Sequence, residues 1–106
     1  MKEKFAWQGT IVEGKQKEYI KRHNNIWPQM KKVLKEAGIC NYSIWMIGNK
    51  VFGYYECLKG VAYASRIQNE SPVVSKWNDY MKDILIFEKH SKKTAQPNLK
   101  QVFELK

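Results

Sequence analysis

The residues of this chain best suited to chemistry are a tyrosine and a histidine four positions apart. Tyr19 and His23 lie in a segment with helical spacing, and residues at i and i+4 project from one face of a helix. Trp27 follows one further turn along. An imidazole, whose ordinary pKa is about 6.5, can both donate and accept protons near neutral pH. The segment therefore predicts either an acid/base pocket or a core stripe with one hydrogen-bonded histidine.

The sequence gives less support to metal-dependent or nucleotide-dependent chemistry. His90, the second histidine, stands among charged residues and is expected on the surface. The two cysteines, Cys40 and Cys57, have no histidine beside them, so metal-ligand spacing is absent from the sequence. Glycine-rich nucleotide-binding motifs are absent as well. We therefore expect no metal and no cofactor, and we expect both cysteines to be thiols in a reducing compartment.

Length and composition limit the class of protein. A chain of 106 residues is one domain's worth of sequence, 1–106. Its hydrophobic content of 43% and aromatic content of 13% can fill a core. The sequence has neither an apolar run of about 18 residues nor a secretory signal, so we expect a cytoplasmic protein with no membrane partner. The net charge of +9 favours polyanions in principle, but the scattered lysines indicate a solvated surface.

The pattern of the chain predicts six elements in the order β-α-β-β-α-β. Pro28 interrupts the first helical region, because a proline removes a backbone donor and crowds the preceding turn, so a break is expected near Asn24–Asn25. This order is the ferredoxin-like arrangement of the α+β class. The predicted pieces are a strand at 4–12, a broken helix at 15–37, strands at 40–47 and 50–57, two helical segments at 60–69 and 73–85, a polar loop at 88–98 and a closing strand at 99–105.

The two middle strands predict a hairpin. Gly48-Asn49 suits a two-residue type II′ turn, which fixes the register of the strands. An uninterrupted ladder then places Tyr42 opposite Tyr55 and Cys40 opposite Cys57, so that the two thiols could be cross-linked after a small adjustment. Gly53, in the middle of its strand, indicates either a bulge or space for a ligand against the sheet.

Both faces of this hairpin are apolar, and one layer of helices cannot cover both. The sequence therefore predicts a homodimer that packs sheet on sheet. The predicted first face carries Cys40, Tyr42, Ile44, Met46, Val51, Gly53, Tyr55 and Cys57, and the second carries Trp45, Ile47, Phe52 and Tyr54.

An RNA-binding alternative comes from the third strand. Residues 50–57 resemble the basic and aromatic octamer of RNA-recognition motifs, but Val51 and Cys57 replace an expected glycine and aromatic residue. Bases would also have to stack on the face that a dimer covers. We therefore expect no nucleic-acid partner, and a non-catalytic ligand- or RNA-binding module stays as an alternative.

The segment 18–28 contains the pattern Arg-His-Asn-x-Ile-Trp-Pro, which resembles the signature of the L-rhamnose mutarotase family. The resemblance extends over nearly the whole chain. The further matching segments, in order, are Leu34-Lys35 before Gly38, Asn41 to Ile44, Trp77 with Tyr80-Met81, and Gln101 to Phe103.

This resemblance implies a fold and an activity. It implies the dimeric α/β-barrel form of the ferredoxin-like fold. It also implies that the protein interconverts the α and β anomers of a 6-deoxyhexose without a cofactor, as members of the family do. It also implies a sugar as the small-molecule partner. The family lies close in fold to small cofactor-independent monooxygenases, which provide an alternative activity.

The resemblance also implies roles for particular residues. His23 matches the family's catalytic histidine, which is read as a proton donor, and Tyr19 and Tyr42 match tyrosines that contact the substrate. Trp77 matches the first of two adjacent tryptophans at the sugar, whereas the second position is Asn78. Since this departure changes one wall of the site, an L-fucose-type mutarotase is an alternative to an L-rhamnose enzyme.

Overall fold

The structure is a computed structural model that describes residues 2–86 and 99–105. In this part of the chain the strands form one antiparallel sheet in the order β2-β3-β1-β4, so the protein has a mixed α+β fold. The elements are β1 (Glu3–Ile11), α1 (Gln16–Asn24), α2 (Pro28–Glu36), β2 (Ile39–Ile47), β3 (Lys50–Cys57), α3 (Val61–Glu70), α4 (Pro72–Met81) and β4 (Leu85–Ile86).

The predicted break in the first helical region is confirmed. Helix α1 ends at Asn24, and α2 begins at Pro28. Trp27 has an extended backbone, with φ −62° and ψ 137°, because the residue before a proline avoids the helical region. Proline itself is well placed in the first turn of α2, where its missing N–H leaves no hydrogen bond unmade. The break lets α1 and α2 take independent directions.

The core lies between the helices and one face of the sheet, called here the inner face. Alternate residues of β3 are buried, as the two-residue period of a strand requires. They share one buried cluster with residues of α3 and α4. The opposite, outer face of the sheet leaves Trp45 and Ile47 exposed. The buried residues of the inner face include Trp7, Ile11, Val51, Tyr55 and Cys57.

The space above Gly53 is filled by protein. The sheet ladder continues through this residue, which pairs with Trp7 on one side and Ile44 on the other. A Cβ atom at position 53 would lie 2.1 Å from Nε1 of Trp7. Gly53 is therefore neither a bulge nor a ligand space, and both interpretations of it from the sequence were wrong. It is a site of close approach for a buried indole.

A β-bulge changes the predicted register of the hairpin. Gly48 has a φ of +57° in the turn, and Ile47 pairs with Lys50 as predicted. The register then shifts by one residue between Ser43 and Cys40. The extra residue places the side chains at the start of β2 on the opposite face from the one predicted.

The predicted pairing of the cysteines was therefore wrong. Cys40 pairs with Glu56, whereas Cys57 pairs with Ile39. Cys57 is buried on the inner face, and Cys40 is half-buried on the outer face. The two thiols lie on opposite sides of the sheet, so the predicted cross-link between them has no geometric support.

The end of the chain also differs from the prediction. Helix α4 ends at Met81 rather than continuing to residue 85, and β4 pairs with the end of β1. The segment 99–105, predicted as a strand, has no regular secondary structure. It is held by a 2.8 Å hydrogen bond from the Leu99 N–H to the Ala6 carbonyl and by an ion pair between Lys4 and Glu104. The predicted loop 88–98, with His90, lies outside the described residues.

Within the described part of the chain, every helix is too short or too polar to traverse a lipid bilayer.

Candidate active site

Helix α1 and strand β2 line a half-open cavity of about 310 Å³. This volume is at the lower end of the range for small-molecule sites, roughly 300–1,000 Å³. The helix brings Tyr19 and His23 into the wall, as their spacing predicted. Their neighbours Ile20 and Asn24 also line the cavity, and nothing in the sequence pattern distinguished them as lining residues. The full lining consists of Tyr19, Ile20, His23, Asn24, Ile44 and Met46.

The imidazole of His23 is held in one orientation. Its Nδ1 lies 3.1 Å from the carbonyl oxygen of Tyr19. A carbonyl oxygen can only accept, so Nδ1 carries the hydrogen and donates it. In the neutral ring the lone pair is then on Nε2. Burial lowers the pKa of His23, and the bond to the Tyr19 carbonyl offsets this only in part. His23 is therefore a neutral base near pH 7.

The phenol of Tyr19 is buried beside this imidazole. The two ring centroids are 4.3 Å apart, and Tyr19 is only 2% exposed. Among the described residues, its hydroxyl has no hydrogen-bond partner. Burial raises the pKa of Tyr19, so the hydroxyl keeps its proton. A buried hydroxyl without a partner costs about 1–3 kcal/mol.

Tyr42 is fixed by a hydrogen bond from the core. The indole Nε1 of Trp7 donates to the Tyr42 hydroxyl oxygen at 3.1 Å, and the Tyr42 ring packs 4.8 Å from that of Tyr55. Burial raises the pKa of the Tyr42 phenol. Tyr42 lies two residues before the cavity-lining Ile44 on the same strand. The sheet therefore places it near the cavity in a defined orientation.

Trp77 contacts the histidine directly. Its ring meets His23 edge-on at a centroid distance of 5.6 Å and Trp27 edge-on at 5.1 Å. Such edge-to-face contacts stabilise the relative orientation of two rings. Trp77 is only 7% exposed, whereas its neighbour Asn78 is exposed. The structure thus brings Tyr19, His23 and Trp77 together and places Asn78 toward solvent.

Residues 2–86 and 99–105 contain no group of three or more histidine, cysteine or acidic side chains that could hold a metal ion. A neutral imidazole and a protonated phenol form a base and an acid on one wall. The chain is thus a small antiparallel α+β protein in which side chains able to act as a base and as an acid line one cavity.

Comparisons with known proteins agree with this description. The family model described as L-rhamnose mutarotase matches residues 4–105. An L-rhamnose mutarotase from Sinorhizobium fredii is 37% identical over 110 residues, which cover 97% of this chain and 98% of the relative. One from Phocaeicola vulgatus is 38% identical over 81 residues, covering 76% and 77%.

A solved structure also matches. The crystal structure of an L-rhamnose mutarotase from Formosa agariphila superposes with a TM-score of 0.78 at 26% sequence identity, covering 98% of this chain and 99% of that one. The chain belongs to the L-rhamnose mutarotase family, as the motif at 18–28 indicated. Enzymes of this family are isomerases that interconvert the anomers of a sugar.

Proposed function

We propose that this chain is a mutarotase that interconverts the α and β anomers of L-rhamnose or a related 6-deoxyhexose. The observation that carries the proposal is the pairing of a neutral imidazole with a buried, protonated phenol at one cavity. Family membership supports the same activity. The cavity volume of about 310 Å³ suits a ligand of monosaccharide size.

The reaction needs two proton transfers in each direction. His23 takes the proton of the anomeric hydroxyl through Nε2, while Tyr19 gives its proton to the ring oxygen. The bond from C1 to the ring oxygen breaks, and an open-chain aldehyde forms. Rotation about the C1–C2 bond presents the other face of the aldehyde. Ring closure returns one proton to Tyr19 and moves the other from His23 to the new anomeric hydroxyl.

These steps restore both side chains and change no oxidation state, so we propose that the enzyme needs no cofactor. Positioned acid/base groups accelerate proton transfers by about 10²–10⁴. Mutarotation proceeds slowly in water without an enzyme, and an acceleration of this size is sufficient.

We propose further substrate contacts around this pair. Tyr42 is assigned a contact with the sugar because its orientation is fixed near the cavity. Trp77 is assigned the apolar side of the sugar ring, next to the imidazole that it touches. Asn78 is assigned a part in sugar preference, since it follows Trp77 directly. An exposed amide there would act on a substituent at the outer end of the sugar.

The proposal extends to assembly and location. We infer that residues 1–106 form one ferredoxin-like domain, for which the strand order is the support, and that two copies pair as a homodimeric α/β barrel. The exposed apolar side chains of the outer sheet face support this pairing. We propose that the enzyme acts in the cytoplasm on a free sugar and has no membrane or nucleic-acid partner.

The activity is tested by NMR saturation transfer between the two anomeric proton signals of L-rhamnose. The wild-type protein is expected to accelerate the exchange, and His23→Asn to remove most of the acceleration while the fold is kept. Tyr19→Phe should cost less, because the imidazole can still pass protons through water. A panel of 6-deoxyhexoses, including L-fucose, identifies the preferred sugar.

The matched control is His90→Asn, which changes the other histidine of the chain. Its exchange rate should equal that of the wild type. Exchange near the wild-type rate in His23→Asn would refute the catalytic assignment, and a wild-type protein without acceleration on the whole panel would refute the activity.

A further inference from the structure

Helix α1 carries both proposed acid/base residues, but it has little apolar packing of its own against the rest of the protein. Helix α1 has nine residues, and Tyr19 is its buried residue. Isolated helices of this length are marginal in water, so tertiary contacts must fix the position and rotation of α1. The orientation of His23 relative to the cavity depends on those contacts.

Arg22 provides such an attachment at several points. Its Nη1 donates to the Tyr80 carbonyl oxygen at 2.7 Å and to Oδ1 of Asp83 at 2.9 Å, and its Nη2 donates to Oδ2 of Asp83 at 3.3 Å. Nε donates to Glu18 at 2.8 Å, which keeps the guanidinium group in place on α1. The guanidinium carbon also lies 4.3 Å from the centre of the Tyr80 ring. A two-point bond of this kind fixes direction as well as distance.

The attachment point is adjacent to the residue that touches His23. Trp77 and Tyr80 are three positions apart on α4, and their rings are 5.6 Å from each other. Trp27 packs against both rings, at 5.1 Å and 5.5 Å. Helix α1 therefore meets the same end of α4 through neighbouring residues, Arg22 at Tyr80 and Asp83, and His23 at Trp77.

We propose that Arg22, acting through Asp83 and the Tyr80 carbonyl, is a positioning residue that holds His23 against Trp77 at the cavity. The inference rests on the proposed function, because it assigns a role relative to that reaction. Arg22 directly precedes His23 in α1, and it acts by fixing the position of that helix. Without it, α1 would rest on apolar contacts such as those of Tyr19 and of His23 with Trp77, and the position of the imidazole at the cavity would be less well fixed.

The variants separate this role from a general loss of stability. Arg22→Met removes every polar attachment and keeps an unbranched side chain that covers part of the same apolar surface. Arg22→Lys keeps the charge but loses the planar fork. Arg66→Met is the matched control, because Arg66 is an exposed helical arginine that pairs with Glu70 on its own helix at 3.7 Å.

Two measurements are made on each variant. The first is kcat and KM for anomer exchange by saturation transfer. The second is the pKa and tautomer of His23 from the ¹H–¹⁵N correlations of its ring, recorded without substrate. The chain has two histidines, so the spectrum of His23→Asn assigns their signals.

In Arg22→Met we expect kcat to fall about ten- to hundredfold, because small misplacements of reacting groups slow a reaction by such factors. The change in KM should be smaller. The pKa of His23 should rise toward its ordinary value, because burial is what lowers it. Arg22→Lys should be intermediate, and Arg66→Met should match the wild type in both measurements.

An unchanged kcat and an unchanged His23 pKa in Arg22→Met would overturn the inference. If Arg22→Met does not fold, Asp83→Asn replaces it, since that variant keeps the bonds of Arg22 to Glu18 and to the Tyr80 carbonyl. A wild-type result for Asp83→Asn would then overturn it. If the wild-type protein itself does not accelerate exchange, the proposed function fails, and the His23 titration still decides whether Arg22 positions the ring.

Discussion

Burial shifts the pKa values of the two proposed catalytic residues in opposite directions. It lowers the pKa of His23 and raises that of Tyr19, because in each case the neutral form is favoured away from water. Both groups are therefore neutral over a broad pH range around 7. A base and an acid coexist in one cavity without forming an ion pair.

A pH profile follows from these shifts. We expect kcat/KM to be level from below pH 6.5 to about pH 10, the ordinary range of the two groups. It should fall at acidic pH as His23 becomes protonated, and at strongly alkaline pH as Tyr19 loses its proton. Exchange rates measured across this range at fixed ionic strength check the profile. An acidic limb with an apparent pKa above 6.5 would contradict it.

The same histidine makes stability depend on pH. Its pKa is lower in the folded chain than the ordinary value of 6.5 in the unfolded chain. Between these two values the unfolded chain binds more protons, so the free energy of unfolding falls as the pH drops through this window. Loss of activity on acidification is therefore accompanied by a contribution to loss of stability.

At the scale of secondary-structure elements, the bulge in β2 puts Tyr42 and Cys40 on opposite faces of the sheet. Asn41 has a φ of +51° there, a conformation that asparagine tolerates better than most residues. Its side-chain amide donates to Glu56 at 2.8 Å, and the Tyr54 hydroxyl donates to the same carboxylate at 2.7 Å. These bonds, with Lys2, hold the pKa of Glu56 at about 2. The bulge is thus pinned from the outer face while Tyr42 packs on the inner one.

The contact between two strands at Gly53 provides a stability test. Gly53→Ala would place a Cβ 2.1 Å from the indole of Trp7, so the ring must move and its bond to Tyr42 is lost. Overpacking of this kind costs about 1–3 kcal/mol, which urea denaturation can measure.

A smaller ring serves as the control for this effect. In a Trp7→Phe background, Gly53→Ala should cost less, because the double variant removes the clash that couples the two sites. Equal costs in both backgrounds would show that the indole does not limit position 53. The activity of Gly53→Ala should fall as well, since Tyr42 loses its donor.

At the scale of the whole molecule, the outer face of the sheet is an exposed apolar surface. Trp45 is 69% exposed and Ile47 is 71% exposed, and Phe52 and Tyr54 beside them are half-buried. The helices cover the inner face and leave this apolar surface open. A contiguous apolar area of this kind is typical of a subunit interface.

Sedimentation velocity tests the proposed homodimer. The wild-type protein is expected to sediment as a dimer at micromolar concentration, and Trp45→Lys to dissociate or to lose solubility, because a buried, unpaired charge is costly. Ala62→Lys, which adds the same charge at an exposed position on helix α3, should stay dimeric. A wild-type monomer of 12.6 kDa would refute the pairing.

The sequence alone determined the features that depend on near neighbours. The break before Pro28, the hairpin at Gly48 and the shared face of Tyr19 and His23 all follow from steric preferences or periodicities within a few residues. The Arg-His-Asn-x-Ile-Trp-Pro pattern also identified the family. The strand and helix bounds agree with the structure to within a few residues, except at the end of the chain.

Only the tertiary structure decided the features that join distant segments. The Trp7 ring fills the space at Gly53, the bulge separates Cys40 from Cys57, and β4 forms at Leu85–Ile86 rather than at 99–105. The bond between Arg22 and Asp83 spans 61 positions. Local pattern carries no information about such pairs, because their energy comes from contacts that exist only once the chain has folded.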